Sequence, residues 1–198
     1  MIHIFFKRLS NAGRLNRLLA RPMIHEHRHE ILSAFCQQKG MSIPMYGKQK
    51  NGKPIITNSR LAFNQSHTDD GYALAFSTSV RNLGVDIENL NRRANFESLA
   101  KRFFHADEQA LWQQTHKNQQ WWLKIWTIKE AVLKANGLGI RLPLNELNAV
   151  FINDHQGELY HQLIGCYRFE CVMIDGHVMT IAYEGDWQPW EFYHHVNG

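Results

Sequence analysis

Apolar and polar positions along the chain fall into two rhythms, one of period two and one of helical period, and these divide it into short strands and a few helices. Residues 2–6 alternate as an opening strand. Within 11–19, Leu15, Leu18 and Leu19 recur at helical spacing with Arg14, Arg17 and Arg21 off that face, and Pro22 predicts a break. Residues 25–36 carry a second helical pattern through Ile31, Leu32 and Phe35, ended by Gly40. Asn51-Gly52 marks a tight turn. Residues 61–63 read as a short strand, "NQSHTDDG" as a polar loop and 72–77 as another strand. A turn at Arg81-Asn82 leads into "NLGVDIENL", where Val85 and Ile87 alternate with Asp86 and Glu88.

The second half continues the mixture. Residues 96–104 are helical, and "HADEQALWQQ" is a helix whose acidic first turn suits the helix dipole. Residues 120–136 form the longest helix, stopped at Gly137. After it, "AVFIND", "ELYHQL", "YRFECVMID" and "HVMTIAYEG" alternate with turns between them, as in an antiparallel meander. No regular βαβ rhythm appears, so the pattern predicts an α+β fold of two halves meeting near residue 83.

Composition bounds this reading. The 198 residues, 44% hydrophobic, suffice for one large domain or two small packed ones. No run approaches the ~18 apolar residues of a membrane span. The apolar run in "MIHIFFKRLS" is too short for a secretion signal. Cys36, Cys166 and Cys171 are an odd set with no disulfide framework and no second pair for zinc, which predicts free thiols and a cytoplasmic location. The net charge of +4 suits nucleic acid, a membrane surface or a small phosphorylated ligand without choosing among them.

The carboxylates sharpen the choice. Asp86 and Glu88 share one strand face about 6.6 Å apart. Their repulsion, roughly 2–3 kcal/mol at an effective dielectric near 20, calls for water, a basic residue or a cation. Oxygen-only ligands suit a hard cation such as Mg²⁺. On the long helix, "WTIKEAVLK" carries Lys129, Glu130 and Lys134, with Glu130 and Lys134 four apart on one face. They are a surface salt bridge, or a third carboxylate with lysines facing bound phosphate. Ser66 and His67, in the expected polar loop, are either turn residues or donors to phosphate oxygens. Lys53 in "NGKP" is equally a surface lysine or a phosphate ligand. His25, His27 and His29 sit two apart, about 200° around a helix, so the three cannot hold one ion; Arg28 between them is a candidate phosphate binder.

Taken in chain order, "NGKP", "FNQSHT", "GVDIE", "AKRFF" and "WTIKEAVLKANGLGI" resemble the 4′-phosphopantetheinyl transferases, in particular their larger, surfactin-synthetase-activating type. The markers are G-x-D-[IV]-E at Gly84 to Glu88 and W-x-x-K-E-A-x-x-K at Trp126 to Lys134. The resemblance runs from Lys53 to Leu144 and, more faintly, through His27-Arg28; the first half is abbreviated. It implies two similar halves related by a pseudo-twofold axis, each a mainly antiparallel sheet packed with helices. Residues 1–83 would hold the adenine and 3′-phosphate side of coenzyme A, and 84–198 the metal site, long helix and carrier docking.

The activity so implied is transfer of 4′-phosphopantetheine from coenzyme A to a serine of an apo acyl or peptidyl carrier protein, releasing adenosine 3′,5′-bisphosphate. Asp86, Glu88 and Glu130 would hold Mg²⁺ or Mn²⁺, with Asp86 also against the coenzyme A diphosphate. Glu130 would be the base for the serine, and Lys134 would stabilise charge on the diphosphate. Lys53, His67 and Arg28 would bind the 3′-phosphate and adenine end, Ser66 and Lys129 would be further phosphate contacts, and Arg141 would meet the carrier. The resemblance further implies a monomer that uses neither nucleic acid nor membrane. Three rivals share some of these residues. A metal-dependent phosphodiesterase or nuclease would use the carboxylates and lysines with water. A nucleic-acid binder would rest on the charge and the 12% aromatic content. The third is a coenzyme A-binding scaffold without catalysis.

Overall fold

The opening alternation becomes strand β1 (Ile2–Arg8), whose Ile2, Ile4 and Phe6 turn inward. The computed structural model that carries it describes residues 1–9 and 17–195. Helix α1 (Arg17–Gln38) follows, then a small hairpin of β2 (Tyr46–Lys48) and β3 (Pro54–Ile56) turning at Gly52, whose φ of 89° suits glycine. Next come β4 (Ala62–His67), β5 (Gly71–Ser77) and β6 (Leu83–Asn89). Helices α2 (Phe96–Phe103), α3 (Ala106–Gln114) and α4 (Gln119–Asn136) are succeeded by β7 (Asn148–Phe151), β8 (Gln156–His161), β9 (Gly165–Ile174), β10 (His177–Glu184) and β11 (Trp190–His195).

The strands build two main sheets, and the mixed α+β class read from the sequence holds. The first has the order β11-β1-β5-β4, with β11 parallel to β1 and the other pairs antiparallel. The second, β6-β10-β9-β8-β7, is antiparallel throughout, as the meander pattern predicts. Ile2, Ile4 and Phe6 of the first sheet pack against Val85, Ile87, Met179 and Ile181 of the second. On its other face the first sheet is covered by α1 through Ile24, Leu32 and Cys36, against Tyr72, Leu74 and Phe76. The second sheet carries α4 on its other face, through Ile128, Ala131, Val132 and Ala135. The layers therefore run helix, sheet, sheet, helix, and β6 is buried on both sides.

Three local expectations change. Residues 11–16 of the first predicted helix lie outside the described residues, but α1 runs through Pro22 without a break. A proline removes one amide donor, and the apolar contacts made further along α1 hold the helix together. The "NQSHTDDG" loop begins later than expected: β4 continues to His67, pairing Ser66 with Ala73 and His67 with Tyr72. Strand β11 was not anticipated; it adds Trp190 opposite Ile2.

Helix α4 starts where Asn118 accepts hydrogen bonds from the amides of Gln120 and Trp121, and ends at Gly137 in the left-handed conformation. Among the described residues, no helix is long and apolar enough to cross a membrane.

Candidate active site

The site begins with a missing side chain. A Cβ on Gly84 would stand 2.0 Å from the backbone oxygen of Ala131 and 2.6 Å from the amide nitrogen of Ala135. Only glycine lets α4 lie directly on β6. Asp86 and Glu88 follow at intervals of two, so they share that face and run out along α4. The sequence motif is thus a packing device with two carboxylates attached.

From α4, Lys134 reaches down to Asp86. Its Nζ donates to Asp86 Oδ1 at 2.6 Å and to Ser66 Oγ at 2.8 Å, while Ser66 Oγ donates to the same Asp86 oxygen at 2.9 Å. Asp86 is 5% exposed, and its second oxygen, Oδ2, is buried with no hydrogen-bond partner. A buried carboxylate oxygen without a donor is costly, and a cation would offset that cost.

Glu88 sits at the outer end of β6 and pairs with Arg92, whose guanidinium lies 5.3 Å from the Trp126 ring centre. Burial, with the Asp86 charge second, pushes the Glu88 carboxyl up to about 7 against the pull of Arg92 and Lys134. Burial and Asp86 likewise raise Glu130, opposed by Lys134 and Arg92. Asp86 is therefore the charge that both glutamates feel. All three carboxylates line one cleft of about 1310 Å³, together with Lys53, Ser66, His67, Arg92 and Lys134.

Among the described residues, no three His, Cys, Asp or Glu side chains gather tightly enough to form a metal cluster. Lys134 and Arg92 hold Asp86 and Glu88 in its place. The donor set is nonetheless all oxygen, and Asp86 Oδ2 is buried without a hydrogen-bond partner, which fits a hard cation.

The remaining predicted residues divide. Ser66 and His67 are neighbours on a strand and so face opposite ways: Ser66 is buried under Lys134, and His67 is exposed at the cleft. Lys53 donates to the carbonyls of Ala135 at 2.5 Å and Leu83 at 3.2 Å, near the end of α4. Burial lowers it to about 8, and its third N–H remains for a ligand. Arg28 is set back from the cleft. Its guanidinium lies over the rings of Tyr46, at 4.3 Å, and Phe63, at 5.3 Å, and of the two only Phe63 lines the cleft. Arg141 donates to the side chain of Asn51 at the cleft edge.

Lys129 is a correction. It is fully buried, 2.6 Å from Glu108 Oε2, and donates to the carbonyls of Leu144 at 2.6 Å and Leu147 at 2.7 Å. Burial pushes Glu108 up and Lys129 down, as expected for a pair withdrawn from water. One residue along a helix is about 100° of rotation, which sends Lys129 into the core while Glu130 meets the cleft. Its work is to tie α4 to α3 and to the segment around 144–147.

Sequence reasoning passed over Arg92, Arg93 and Asn64. Arg92 and Arg93 line the cleft from an irregular segment with no periodic signature. Asn64 accepts a hydrogen bond from the Val85 amide at 2.9 Å and so joins β4 to β6; its only signal was its place in "FNQSH".

Comparison with known proteins adds the following. The family model described as the 4′-phosphopantetheinyl transferase superfamily matches residues 82–182. The 4′-phosphopantetheinyl transferase HetI of Nostoc sp. is 35% identical over 155 residues, 74% of this chain and 63% of that protein. The 4′-phosphopantetheinyl transferase AcpT of Escherichia coli O157:H7 is 40% identical over 97 residues, 47% of this chain and 48% of that protein. The chain thus spans less than two thirds of the length of these curated relatives. The crystal structure of Thermotoga maritima holo-[acyl-carrier-protein] synthase is similar at a TM-score of 0.44 and 18% identity, over 50% of this chain and 60% of its own.

Proposed function

The chain belongs to the 4′-phosphopantetheinyl transferase superfamily, and from that premise we propose that it transfers 4′-phosphopantetheine from coenzyme A to a serine hydroxyl of an apo acyl or peptidyl carrier protein. The serine oxygen forms a bond to the β-phosphorus of coenzyme A. The bond from that phosphorus to the bridging oxygen breaks, and adenosine 3′,5′-bisphosphate leaves. The observation that carries this reading is Asp86, locked to Lys134 and Ser66 on one oxygen and unpartnered on the other, between Glu88 and Glu130 in one cleft.

Asp86, Glu88 and Glu130 would hold Mg²⁺ or Mn²⁺, which when bound would neutralise charge on the diphosphate. Lys134 stabilises the negative charge that grows on the bridging oxygen as the bond breaks. Glu130, whose carboxyl burial raises from its ordinary value, accepts the serine proton. Lys53 and His67 bind the 3′-phosphate, and Arg28 braces the Phe63 wall on the adenine side. The ligand would lie along the seam between residues 1–83 and 84–198, taken as two related halves, with Arg141 meeting the carrier. Phosphoryl chemistry of this kind depends on positioning and charge neutralisation, which is what the cleft supplies. The three cysteines are free, which supports a cytoplasmic setting, and we take the working unit to be a monomer.

The test incubates the protein with an apo carrier, coenzyme A and Mg²⁺ and weighs the carrier by mass spectrometry. The expected result is a gain of one phosphopantetheine. No gain on fatty-acid, polyketide and peptide-synthetase carriers alike would overturn the reading.

A further inference from the structure

The cleft carries two acidic residues that no step above uses, Asp69, exposed at the turn, and Asp70 beside it. Asp70, in the turn between β4 and β5, lines the same wall as Thr68 and Asn89. An ionised aspartate there would repel the phosphates of a polyanion. Behind it, His177 at the start of β10 is completely buried. Its Nε2 lies 2.9 Å from Asp70 Oδ1, and its Nδ1 lies 2.9 Å from the carbonyl oxygen of Asp175. Both partners are acceptors, so each ring nitrogen is placed to donate a hydrogen bond. Thr68 Oγ1, 3.2 Å from Nε2, gives its own hydrogen to Asp70 at 3.1 Å, so it too faces the ring as an acceptor.

Asp70 is held by several donors in this arrangement. Asn89 Nδ2 lies 2.9 Å from both of its oxygens, and His177 and Thr68 supply two further donors. Three of these contacts fall on Oδ1 and one on Oδ2, so the donors gather on the oxygen that faces His177. Burial raises the Asp70 carboxyl, but the hydrogen bonds from Asn89, His177 and Thr68 outweigh it and hold the group below its ordinary value. The approach of the ring also depends on Gly71, where a Cβ would stand 2.8 Å from His177 Nε2. The three elements that meet here belong to both sheets, so the contact closes the first sheet against the second at the cleft wall.

We infer that His177 is a positioning residue that masks the charge of Asp70, so that this wall of the cleft admits a polyanion such as the diphosphate of coenzyme A. The identity of that polyanion rests on the function proposed above; the masking does not.

The experiment reads the full chain in two ways. Long-range ¹H–¹⁵N spectra of the wild-type protein at neutral pH show both His177 ring nitrogens protonated; a ring with one bare nitrogen overturns the inference. Calorimetry then follows inorganic pyrophosphate as the probe, with no carrier present. His177→Gln weakens pyrophosphate binding roughly tenfold through the exposed Asp70 charge, and adding Asp70→Asn in the same chain restores most of it. Equal weakening in the single and double variants would mean a purely structural histidine and overturns the inference, as would a wild-type protein that binds no pyrophosphate. Asp70→Asn alone covers the case in which His177→Gln does not fold. With the charge already masked, it changes pyrophosphate affinity by less than about twofold, whereas a tenfold gain would show an unmasked Asp70. A wild-type protein that binds pyrophosphate but modifies no carrier would sink the transferase reading and leave the masking intact. In the active enzyme, His177→Gln raises KM for coenzyme A far more than it lowers kcat.

Discussion

Lys134 and Asp86 meet at 2.6 Å, joining the last turns of α4 to the middle of β6, and Ser66 of β4 bonds to both. Three elements from two sheets and a helix converge on one oxygen. Such a knot holds a charge in place before any ligand arrives, which is the arrangement that electrostatic catalysis requires. Lys134→Ala is expected to lower kcat by about 100-fold or more, with a smaller change in KM for coenzyme A. Steady-state transfer kinetics measure both. An unchanged kcat would remove Lys134 from the chemistry.

Gly84 gives a sharper structural test. Adding a methyl group at this position forces α4 off β6, because the obstructing atoms are backbone. Gly84→Ala should cost at least about 2 kcal/mol and lower kcat as Lys134 is lifted from Asp86. Thermal unfolding and transfer rate together check it. A variant with wild-type melting would mean that α4 has room to spare.

Glu88 makes stability depend on pH. Its folded value, about 7, lies above its ordinary 4.5, so the fold favours the protonated form. The contribution is fully present below the ordinary value and is lost as pH rises through about 7. In that window the folded protein binds more protons than the unfolded chain, so stability falls with rising pH. Glu130, also raised, adds to the same slope. Urea unfolding in chelator at pH 5 and pH 8 should show wild type losing on the order of 2–3 kcal/mol more than Glu88→Gln. Equal slopes in the two proteins would locate the pH response elsewhere.

Lys129→Met should separate packing from binding. It strands the Glu108 carboxylate in the core, at a cost of about 3–5 kcal/mol. KM for coenzyme A should stay at the wild-type value, since Lys129 lies outside the cleft. Replacing Glu108 by Leu in the same chain should recover much of the stability. Raised KM at unchanged stability would return Lys129 to the binding site.

The two lysines of "WTIKEAVLK" show how far a sequence carries. Helical spacing put Glu130 and Lys134 on one face, and both line the cleft. The same spacing says nothing of Glu108, whose position decides that Lys129 turns inward. Strand alternation made "GVDIE" legible because Val85 and Ile87 face one core while Gly84 and Asp86 face α4. It failed at "NQSH", whose polar residues extend β4 because their partners across the sheet and the helix are themselves buried. It was silent on Arg92, which comes to the site along an irregular segment, and on β11, whose partner lies at the far end of the chain. Contacts set by distant residues leave no local period to read.

That last pairing has a bearing on synthesis. Ile2 takes its parallel neighbour from Trp190, so the first sheet lacks an edge strand until the segment around residue 190 has left the ribosome. Until then β1 presents open amides and carbonyls, the kind of edge that invites pairing with another molecule. Loop closure over such a separation is slow, and the pairing belongs to the late steps of folding. A chain cut between 83 and 84 would leave its first fragment without a strand that only the second can lend, so the fragments should fold when mixed and aggregate when made apart.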